Sequence, residues 1–283
     1  MNSTLPRRAF LAQTLCTMGA LLAPSPIFGL LSKDGLAQGL GRGVSLEELW
    51  KNALPIRRAI LAHPFLVGLN SGELAKESFR FYVLQDALYL KAYARVLSLA
   101  ATKAPKEAWA NTFHAHAANA LQEGRALHEG LLKELDVSAR MLKEASMAPT
   151  SKAYASYLLA TAALEPFPHV LGALLPCYWV YLEVGRALQK RGSPDPLYQC
   201  WIEAYASGAY ESVVREVIQM ARETLGRVSQ KEAEALAKRF MTSCRYEWMF
   251  WDMAFRMETW PQAIERSLRP GMPQQGAIQT KRL

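Results

Sequence analysis

A cysteine with a proline directly before it lies in the middle of a segment with helical periodicity, in the run LLPCYWVY that ends at Tyr181. Pro176 within a helix loses a backbone hydrogen bond, at a cost of about 3 kcal/mol, which is an unusual choice for packing alone. The thiolate of Cys177 would be a competent nucleophile. A lone buried cysteine is more often an inert, small hydrophobic side chain, so this run alone leaves both interpretations open.

A carboxylic acid, Asp86, lies on the apolar face of another predicted helix. It shares that face with Tyr82, Tyr89 and Tyr93, because side chains three or four residues apart are neighbours on a helix. An unpaired buried charge costs several kcal/mol, so Asp86 must be paired or hydrogen-bonded there. Taken alone, Asp86 is compatible with a structural role as well as with ligand binding.

A second acid, Glu247, lies in an aromatic-rich helix and shares a face with Phe250 and Trp251. Burial among aromatic rings would raise the pKa of this carboxyl and suit it to proton transfer near neutral pH. The alternative is an aromatic core in which Glu247 is paired with an arginine.

Several other classes of site are excluded by what the sequence lacks. There is no glycine-rich phosphate loop or dinucleotide fingerprint. His114 and His116 are two residues apart, which points them to different helix faces, so no metal site is predicted. The net charge of +8 comes from basic residues dispersed among acids, without a run of five or more, so nucleic acid is not an expected partner.

The first 37 residues differ from the rest of the chain. Arg7 and Arg8 precede Phe10-Leu11 and an uncharged stretch, and small residues lead up to Ala37. This pattern resembles a twin-arginine export signal over 1–37 and predicts a periplasmic protein, with a cytoplasmic location as the alternative. Prolines interrupt the apolar stretch, so stable membrane insertion is not expected. The three remaining cysteines do not indicate a disulfide framework.

The remainder of the sequence has helical periodicity and predicts a single all-α, multi-helix domain over 45–262. A capping box at Ser45 begins the first helix, which is predicted to end at His63 because Pro64 follows. A turn at 68–72 precedes a long helix over 74–102, and a third helix begins at Pro105 and extends to about 135. Further helices are expected at 149–165, 168–191, 195–205, 210–226 and 230–257. The tail, 263–283, is expected to be flexible.

An ordered series of short motifs resembles the TenA family of thiaminase II and aminopyrimidine aminohydrolases, in its cysteine-containing branch. The series comprises His63-Pro64-Phe65, the segment 81–90 (FYVLQDALYL), Ala153-Tyr154, the segment 175–179 (LPCYW), the segment 201–205 (WIEAY) and the segment 247–252 (EWMFWD). The resemblance covers about 45–262. It implies the helical fold that this family shares with haem oxygenase.

The resemblance also implies roles for individual residues. Cys177 would be the nucleophile that adds to a pyrimidine ring, Glu247 would protonate the departing amine and then activate water, and Tyr89 would hydrogen-bond to the thiol. The implied substrate-binding residues are Asp86, Tyr181, Tyr205, Tyr154 and Phe250. Asp86 would hold the polar edge of the pyrimidine, and the last two rings would sandwich it.

The implied reaction is hydrolysis of 4-amino-5-aminomethyl-2-methylpyrimidine with release of ammonia, with thiamine as a second substrate. The resemblance implies a homotetramer that needs neither a metal nor an organic cofactor. A non-catalytic protein that binds thiamine or a pyrimidine would use the same aromatic walls and Asp86, but would have no task for Cys177. A haem-binding relative of the same fold would need an axial histidine, for which His63 and His169 are the candidates.

Overall fold

The computed structural model describes residues 44–129 and 134–261 of the chain. The proposed export signal and the tail therefore lie outside the described residues. The helices in chain order are α1 (Leu46–Asn52), α2 (Leu54–Leu61), α3 (Pro64–Ser71), α4 (Lys76–Lys103), α5 (Glu107–Glu129), α6 (Ala139–Glu144), α7 (Pro149–Leu164), α8 (Phe167–Gln189), α9 (Pro196–Ala206), α10 (Gly208–Leu225) and α11 (Gln230–Arg256). The two described ranges contain no strand, which confirms the all-α class. Within them, no helix is both long and apolar enough to span a bilayer.

The N-terminal helices begin where the sequence predicts, but they are divided differently. The Ser45 capping box is present, with Glu48 as its partner. The expected single helix up to His63 is two helices that meet at Ala53. Pro55 explains the division, because it has no N–H to donate to the carbonyl four residues earlier.

The predicted turn at 68–72 was wrong over 68–71, since Pro64–Ser71 is the helix α3, which the sequence did not predict. Proline ends a helix that precedes it but is favourable in the first turn of the next one, where its missing N–H has no intrahelical partner to lose. Nδ1 of His63 caps α3 by accepting a hydrogen bond from the Phe65 N–H at 3.2 Å. Gly72 then ends α3 with a left-handed backbone, φ 81°.

The helix that carries Cys177, α8, lies at the centre of the molecule and packs against α4, α7, α9, α10 and α11. It runs through Pro176 without interruption. Two glycines allow it to approach its neighbours closely. A Cβ on Gly172 would lie 2.6 Å from the Leu236 carbonyl oxygen of α11, and one on Gly185 would lie 2.6 Å from the Tyr205 carbonyl carbon of α9. These contacts fix the helices that carry Glu247 and Tyr205 against α8.

Candidate active site

A cavity of about 110 Å³ lies beside the centre of α8. Residues of α4, α5, α8, α9, α10 and α11 line it: Asp86, Tyr89, Leu90, Tyr93, Leu97, His116, Asn119, Ala120, Cys177, Tyr178, Tyr181, Tyr205, Tyr210, Val213 and Glu247. Six of the eight residues that the sequence nominates are among them. The remaining two, Tyr154 and Phe250, are buried behind the wall of the cavity.

The thiol of Cys177 is connected to the carboxyl of Glu247 through one tyrosine. The Tyr154 hydroxyl lies 3.0 Å from Sγ of Cys177 and donates a hydrogen bond to Oε1 of Glu247 at 2.6 Å. A hydroxyl has one proton. Because Tyr154 donates that proton to Glu247, its oxygen is left to accept a hydrogen bond from the thiol. The geometry therefore aligns a proton path from sulfur to carboxyl across three helices, α8, α7 and α11.

Burial sets the protonation state at both ends of this path. Desolvation raises the pKa of Glu247 to about 7, although hydrogen bonds from Tyr154 and Cys177 act in the opposite direction. The rise that its aromatic surroundings predict is thus confirmed, and its hydrogen-bond partner is a tyrosine and not an arginine. At neutral pH the carboxyl can both accept and return a proton.

The pKa of the Cys177 thiol is raised well above its usual range, first by burial and then by the charge of Glu247. The hydrogen bonds that the sulfur shares with Tyr154 and Tyr89 lower this pKa, but burial is the larger effect. The resting group is therefore a neutral thiol. It becomes a nucleophile when a base removes its proton, and Glu247 is the base that the geometry provides.

Tyr89 supports the sulfur from α4. Its hydroxyl lies 3.4 Å from Sγ of Cys177, as expected from the resemblance. The Tyr89 ring packs against Tyr93 at 5.5 Å and edge-on against Phe250 at 5.5 Å. Phe250 thus holds Tyr89 in place from behind, and the sandwiching role for Tyr154 and Phe250 stays a prediction.

Asp86 is buried and lines the cavity one turn before Tyr89. Its charge contributes to the raised pKa of two neighbours, Tyr82 and Tyr181, both of which are perturbed first by burial. Glu247 contributes to the same two pKa values. The charges of both carboxyls thus act on Tyr181, and all three side chains line the same cavity.

Tyr181 and Tyr205 form an aromatic wall of the cavity. Their ring centroids are 4.9 Å apart and the rings are tilted by 43°. Tyr205 also packs edge-on against Tyr210 at 5.2 Å, and the Tyr210 hydroxyl donates to the Tyr178 carbonyl at 3.2 Å. This wall is hydrogen-bonded to the backbone of α8 beside Cys177, which restricts its movement.

Sequence reasoning missed the part of the cavity where His116, Asn119 and Ala120 of α5 face Tyr178. The Nδ1 atom of His116 lies 3.1 Å from the Tyr178 hydroxyl. The three α5 residues are spaced at i, i+3 and i+4, which indicates a shared helix face. This spacing is the sequence feature that could have identified them. The spacing of His116 from His114 bears on metal binding and not on a hydrogen-bonding role.

Neither candidate haem ligand, His63 or His169, lines the cavity. His63 caps α3 through Nδ1, and its Nε2 lies 3.6 Å from Oδ1 of Asp252. Burial lowers its pKa, in agreement with a neutral ring that accepts at Nδ1. Its position gives no support to the haem interpretation. Across the described ranges, no group of three or more His, Cys, Asp or Glu is placed to hold a metal ion.

A model of the TENA/THI-4/PQQC family matches residues 50–257. The chain belongs to this family. It is 36% identical over 214 residues to the aminopyrimidine aminohydrolase of Halalkalibacterium halodurans, a match that covers 75% of this chain and 96% of the relative. The protein of the same name from Bacillus subtilis is 33% identical over 198 residues, covering 70% of this chain and 84% of the relative.

Solved structures of TENA/THI-4/PQQC relatives agree with the fold. A TenA homologue from P. horikoshii OT3 aligns with a TM-score of 0.69 and 30% identity over 74% of this chain and 97% of that one. A domain with a heme oxygenase-like fold from Shewanella denitrificans aligns with a TM-score of 0.61 over 80% of this chain and 97% of that one. The latter is only 14% identical and supports the fold alone. The predicted haem-oxygenase-like bundle is confirmed.

Proposed function

We propose that this member of the TENA/THI-4/PQQC family is a cysteine-dependent hydrolase. Its substrate would be 4-amino-5-aminomethyl-2-methylpyrimidine, which it would convert to the hydroxymethyl compound and ammonia. The observation that carries the proposal is the hydrogen-bonded path from Cys177 through Tyr154 to Glu247 at the wall of a cavity lined by aromatic side chains. The relatives named aminopyrimidine aminohydrolases support the substrate class.

The first half of the reaction uses the proton path in one direction. The thiol proton passes through Tyr154 to Glu247, and the thiolate adds to a carbon of the pyrimidine ring. The displaced electron pair moves onto a ring nitrogen, where Asp86 faces the polar edge. That pair then expels the amine from the methylene carbon while Glu247 gives it the proton, so ammonia leaves and an exocyclic methylene remains.

The second half returns the site to its starting state. Glu247, now ionised, takes a proton from water, and the hydroxyl adds to the methylene carbon. The carbon–sulfur bond breaks, aromaticity is restored, and the sulfur regains its proton through Tyr154. Every proton is thus handled by one carboxyl, which requires a pKa near the working pH. Burial of Glu247 provides that value.

A binding protein on the same fold is the rival proposal. Binding needs the aromatic walls and Asp86, but it does not need a buried acid connected to a thiol. Burying Glu247 raises its pKa to about 7 and so destabilises the ionised side chain in the folded protein. A binding site does not benefit from this destabilisation of the ionised carboxyl, whereas proton transfer near neutral pH does.

Ammonia release by the purified protein, with and without Cys177→Ala, tests the proposal. Cys200→Ala is the matched control, because Cys200 is also partly exposed but does not line the cavity. We expect Cys177→Ala to abolish turnover and Cys200→Ala to retain it, with circular dichroism confirming both folds. Turnover that survives in Cys177→Ala would refute cysteine dependence. Tight pyrimidine binding without turnover in the unaltered protein would favour the rival.

The location and assembly of the protein are separate proposals. The twin-arginine pattern at Arg7 and Arg8 supports periplasmic export, and Arg7→Lys with Arg8→Lys should retain the protein in the cytoplasm on fractionation.

For the assembly we propose a homotetramer, as the resemblance implies. Light scattering of the purified protein checks this, and a monomeric mass would refute it.

A further inference from the structure

The proton path depends on the position of one hydroxyl at the far end of a side chain of α7. The Tyr154 oxygen has to stay 3.0 Å from Sγ of Cys177 and 2.6 Å from Oε1 of Glu247. These partners belong to α8 and α11, so the backbone of α7 alone does not set both distances. A small rotation about χ1 of Tyr154 displaces the hydroxyl, and a misplacement of about 1 Å can cost about 10²-fold in rate. The path therefore requires a Tyr154 ring that is held in one orientation.

Tyr246 of α11 packs against the ring of Tyr154. The two ring centroids are 4.8 Å apart and the ring planes differ by only 8°. Tyr89 contacts the same ring at 5.4 Å with a tilt of 31°, so the contact with Tyr246 is the closer and more nearly parallel of the two. Stacked aromatic pairs attract each other and thereby restrict rotation of both rings. Tyr246 directly precedes Glu247 in the sequence, so the helix that carries the acid also carries this ring.

Tyr246 is itself held between two rings of α7. Tyr154 and Tyr157 are three residues apart, so they share a face of that helix, and the Tyr157 ring contacts Tyr246 at 5.4 Å. The Tyr157 hydroxyl donates a hydrogen bond to the Arg239 carbonyl of α11 at 3.3 Å. Tyr246 does not line the cavity. Any effect of this side chain on the reaction must therefore pass through Tyr154.

We propose that Tyr246 is a positioning residue whose ring holds the Tyr154 hydroxyl between the thiol and the carboxyl. The inference deepens the proposed function and rests on it, because the hydroxyl position affects the rate only if protons move along the path. The stacked ring has this role, and the hydroxyl of Tyr246 is not needed for it. Phenylalanine at this position should therefore preserve the reaction, whereas an aliphatic side chain should not.

The ionisation of Glu247 reports whether Tyr154 is in place, because the Tyr154 hydrogen bond lowers the pKa of Glu247. Among the described residues, the charge of Glu247 acts on six titratable groups. They are Tyr82, Tyr89, Tyr154, Cys177, Tyr181 and Cys244. Burial raises the pKa of each of these six above its usual range, so all of them stay neutral from pH 5 to pH 9. Glu247 is the member of this cluster that titrates in that interval.

Three substitutions and two measurements test the inference. Tyr246→Leu removes the stacked ring and Tyr246→Phe keeps it. Trp179→Leu is the matched control, because Trp179 is also half-buried, stacks on Trp50 at 3.9 Å and does not line the cavity. The first measurement is kcat/KM for ammonia release from pH 5 to pH 10. The second is denaturant unfolding at pH 5 and pH 9, which requires no turnover.

We expect Tyr246→Leu to lower the highest kcat/KM by about 10- to 10²-fold. A displaced Tyr154 no longer lowers the pKa of Glu247, so the fall of kcat/KM at acidic pH should move to higher pH. A carboxyl with a raised folded pKa makes the protein lose stability as pH rises towards that pKa. Tyr246→Leu should therefore lose more stability between pH 5 and pH 9 than the unaltered protein does. Tyr246→Phe should match the unaltered protein in both measurements.

A purely structural role for Tyr246 predicts a different result. Trp179→Leu should show that result, namely the same loss of stability at both pH values and an unmoved fall of kcat/KM. The same behaviour in Tyr246→Leu, in either measurement, overturns the inference. In a Tyr154→Phe protein, adding Tyr246→Leu should move the fall of kcat/KM no further, because its partner is already lost, and a further movement also overturns the inference.

The two measurements separate failure of the inference from failure of the proposed function. Absence of turnover in the unaltered protein overturns the proposed function. The unfolding measurement then decides by itself whether Tyr246 positions Tyr154 against Glu247. If Tyr246→Leu does not fold, Tyr246→Met takes its place in both measurements.

Discussion

Replacing Tyr154 with phenylalanine should shift the pH dependence of the reaction in a direction that the site geometry determines. Tyr154 donates a hydrogen bond to Glu247 at 2.6 Å and thereby favours the ionised carboxyl, which lowers its pKa. Without this hydrogen bond, less remains to offset the effect of burial, so the pKa of Glu247 rises further. A hydrogen bond to a charged group contributes about 1.5 to 3 kcal/mol. At 1.36 kcal/mol per pKa unit, the shift is about 1 to 2 units.

The consequence is visible in kcat/KM, because Glu247 must be ionised in the free enzyme to accept the thiol proton. With the native pKa at about 7, kcat/KM should fall as pH drops through 7. In Tyr154→Phe the fall should begin at about pH 8 to 9, the native value raised by that shift. Loss of the proton path should also reduce the plateau by about 10²-fold. Ammonia release measured from pH 5 to 10 with one substrate gives both quantities.

Tyr89→Phe is the matched control for this experiment. Tyr89 also hydrogen-bonds to the sulfur, but it is not among the groups that perturb the pKa of Glu247. In Tyr89→Phe, the fall of kcat/KM at acidic pH (the acid limb) should occur at the same pH as in the unaltered protein. An unmoved acid limb in Tyr154→Phe would refute the reasoning, and so would an equal movement in Tyr89→Phe.

Two further changes test the structural basis of the site. Glu247→Gln should stabilise the fold above pH 7 by about 4 kcal/mol while abolishing turnover. The reason is that a folded pKa of about 7 against an unfolded value of about 4.3 makes the native chain lose stability as pH rises between the two. Denaturant unfolding at pH 5 and pH 8 checks this; equal stability differences at both pH values would contradict it. Gly185→Ala forces a Cβ to within 2.6 Å of the Tyr205 backbone and should destabilise the fold by about 1 to 3 kcal/mol and raise KM. Gly208→Ala, where a Cβ has open space, should do neither, and similar thermal melts and KM values for the two would contradict the close approach of α8 and α9.

The helices were predictable from local signals because their boundaries are set locally. Residues close together in the sequence form the Ser45 capping box and the caps of α11. The same is true of the helical spacing of apolar residues around Asp86, which predicts α4. The helix α3 was missed for the opposite reason. Pro64 stops one helix and begins the next, and the choice between a loop and a helix after it depends on how the segment packs. Phe65, Leu66 and Leu69 of α3 are fully buried. Their burial depends on tertiary packing, which the local sequence does not reveal.

The candidate site was only partly predictable for a similar reason. Motifs nominate Cys177, Asp86 and Glu247 one at a time, but distances between helices decide which of them meet. The role of Tyr154 illustrates this point. The family resemblance implies an aromatic wall, whereas the structure places the Tyr154 hydroxyl between the sulfur and the carboxyl. His116 belongs to a helix that the family motifs do not include, so only the packing of α5 against α4 brings it to the cavity.

Burial raises the pKa at both ends of the proton path, Cys177 and Glu247. The hydrogen bonds of these two groups with Tyr154 have the opposite effect. The sequence led us to expect that Tyr89 would sharpen the nucleophile, and a hydrogen bond from Tyr89 does lower the thiol pKa. Desolvation outweighs it and keeps the thiol neutral, and the same desolvation raises the Glu247 pKa. Burial thus favours the uncharged form of both groups, and the resting side chain of Cys177 is a thiol. In the proposed mechanism, proton transfer to Glu247 then becomes favourable when a pyrimidine receives the sulfur electrons, so attack and deprotonation are coupled.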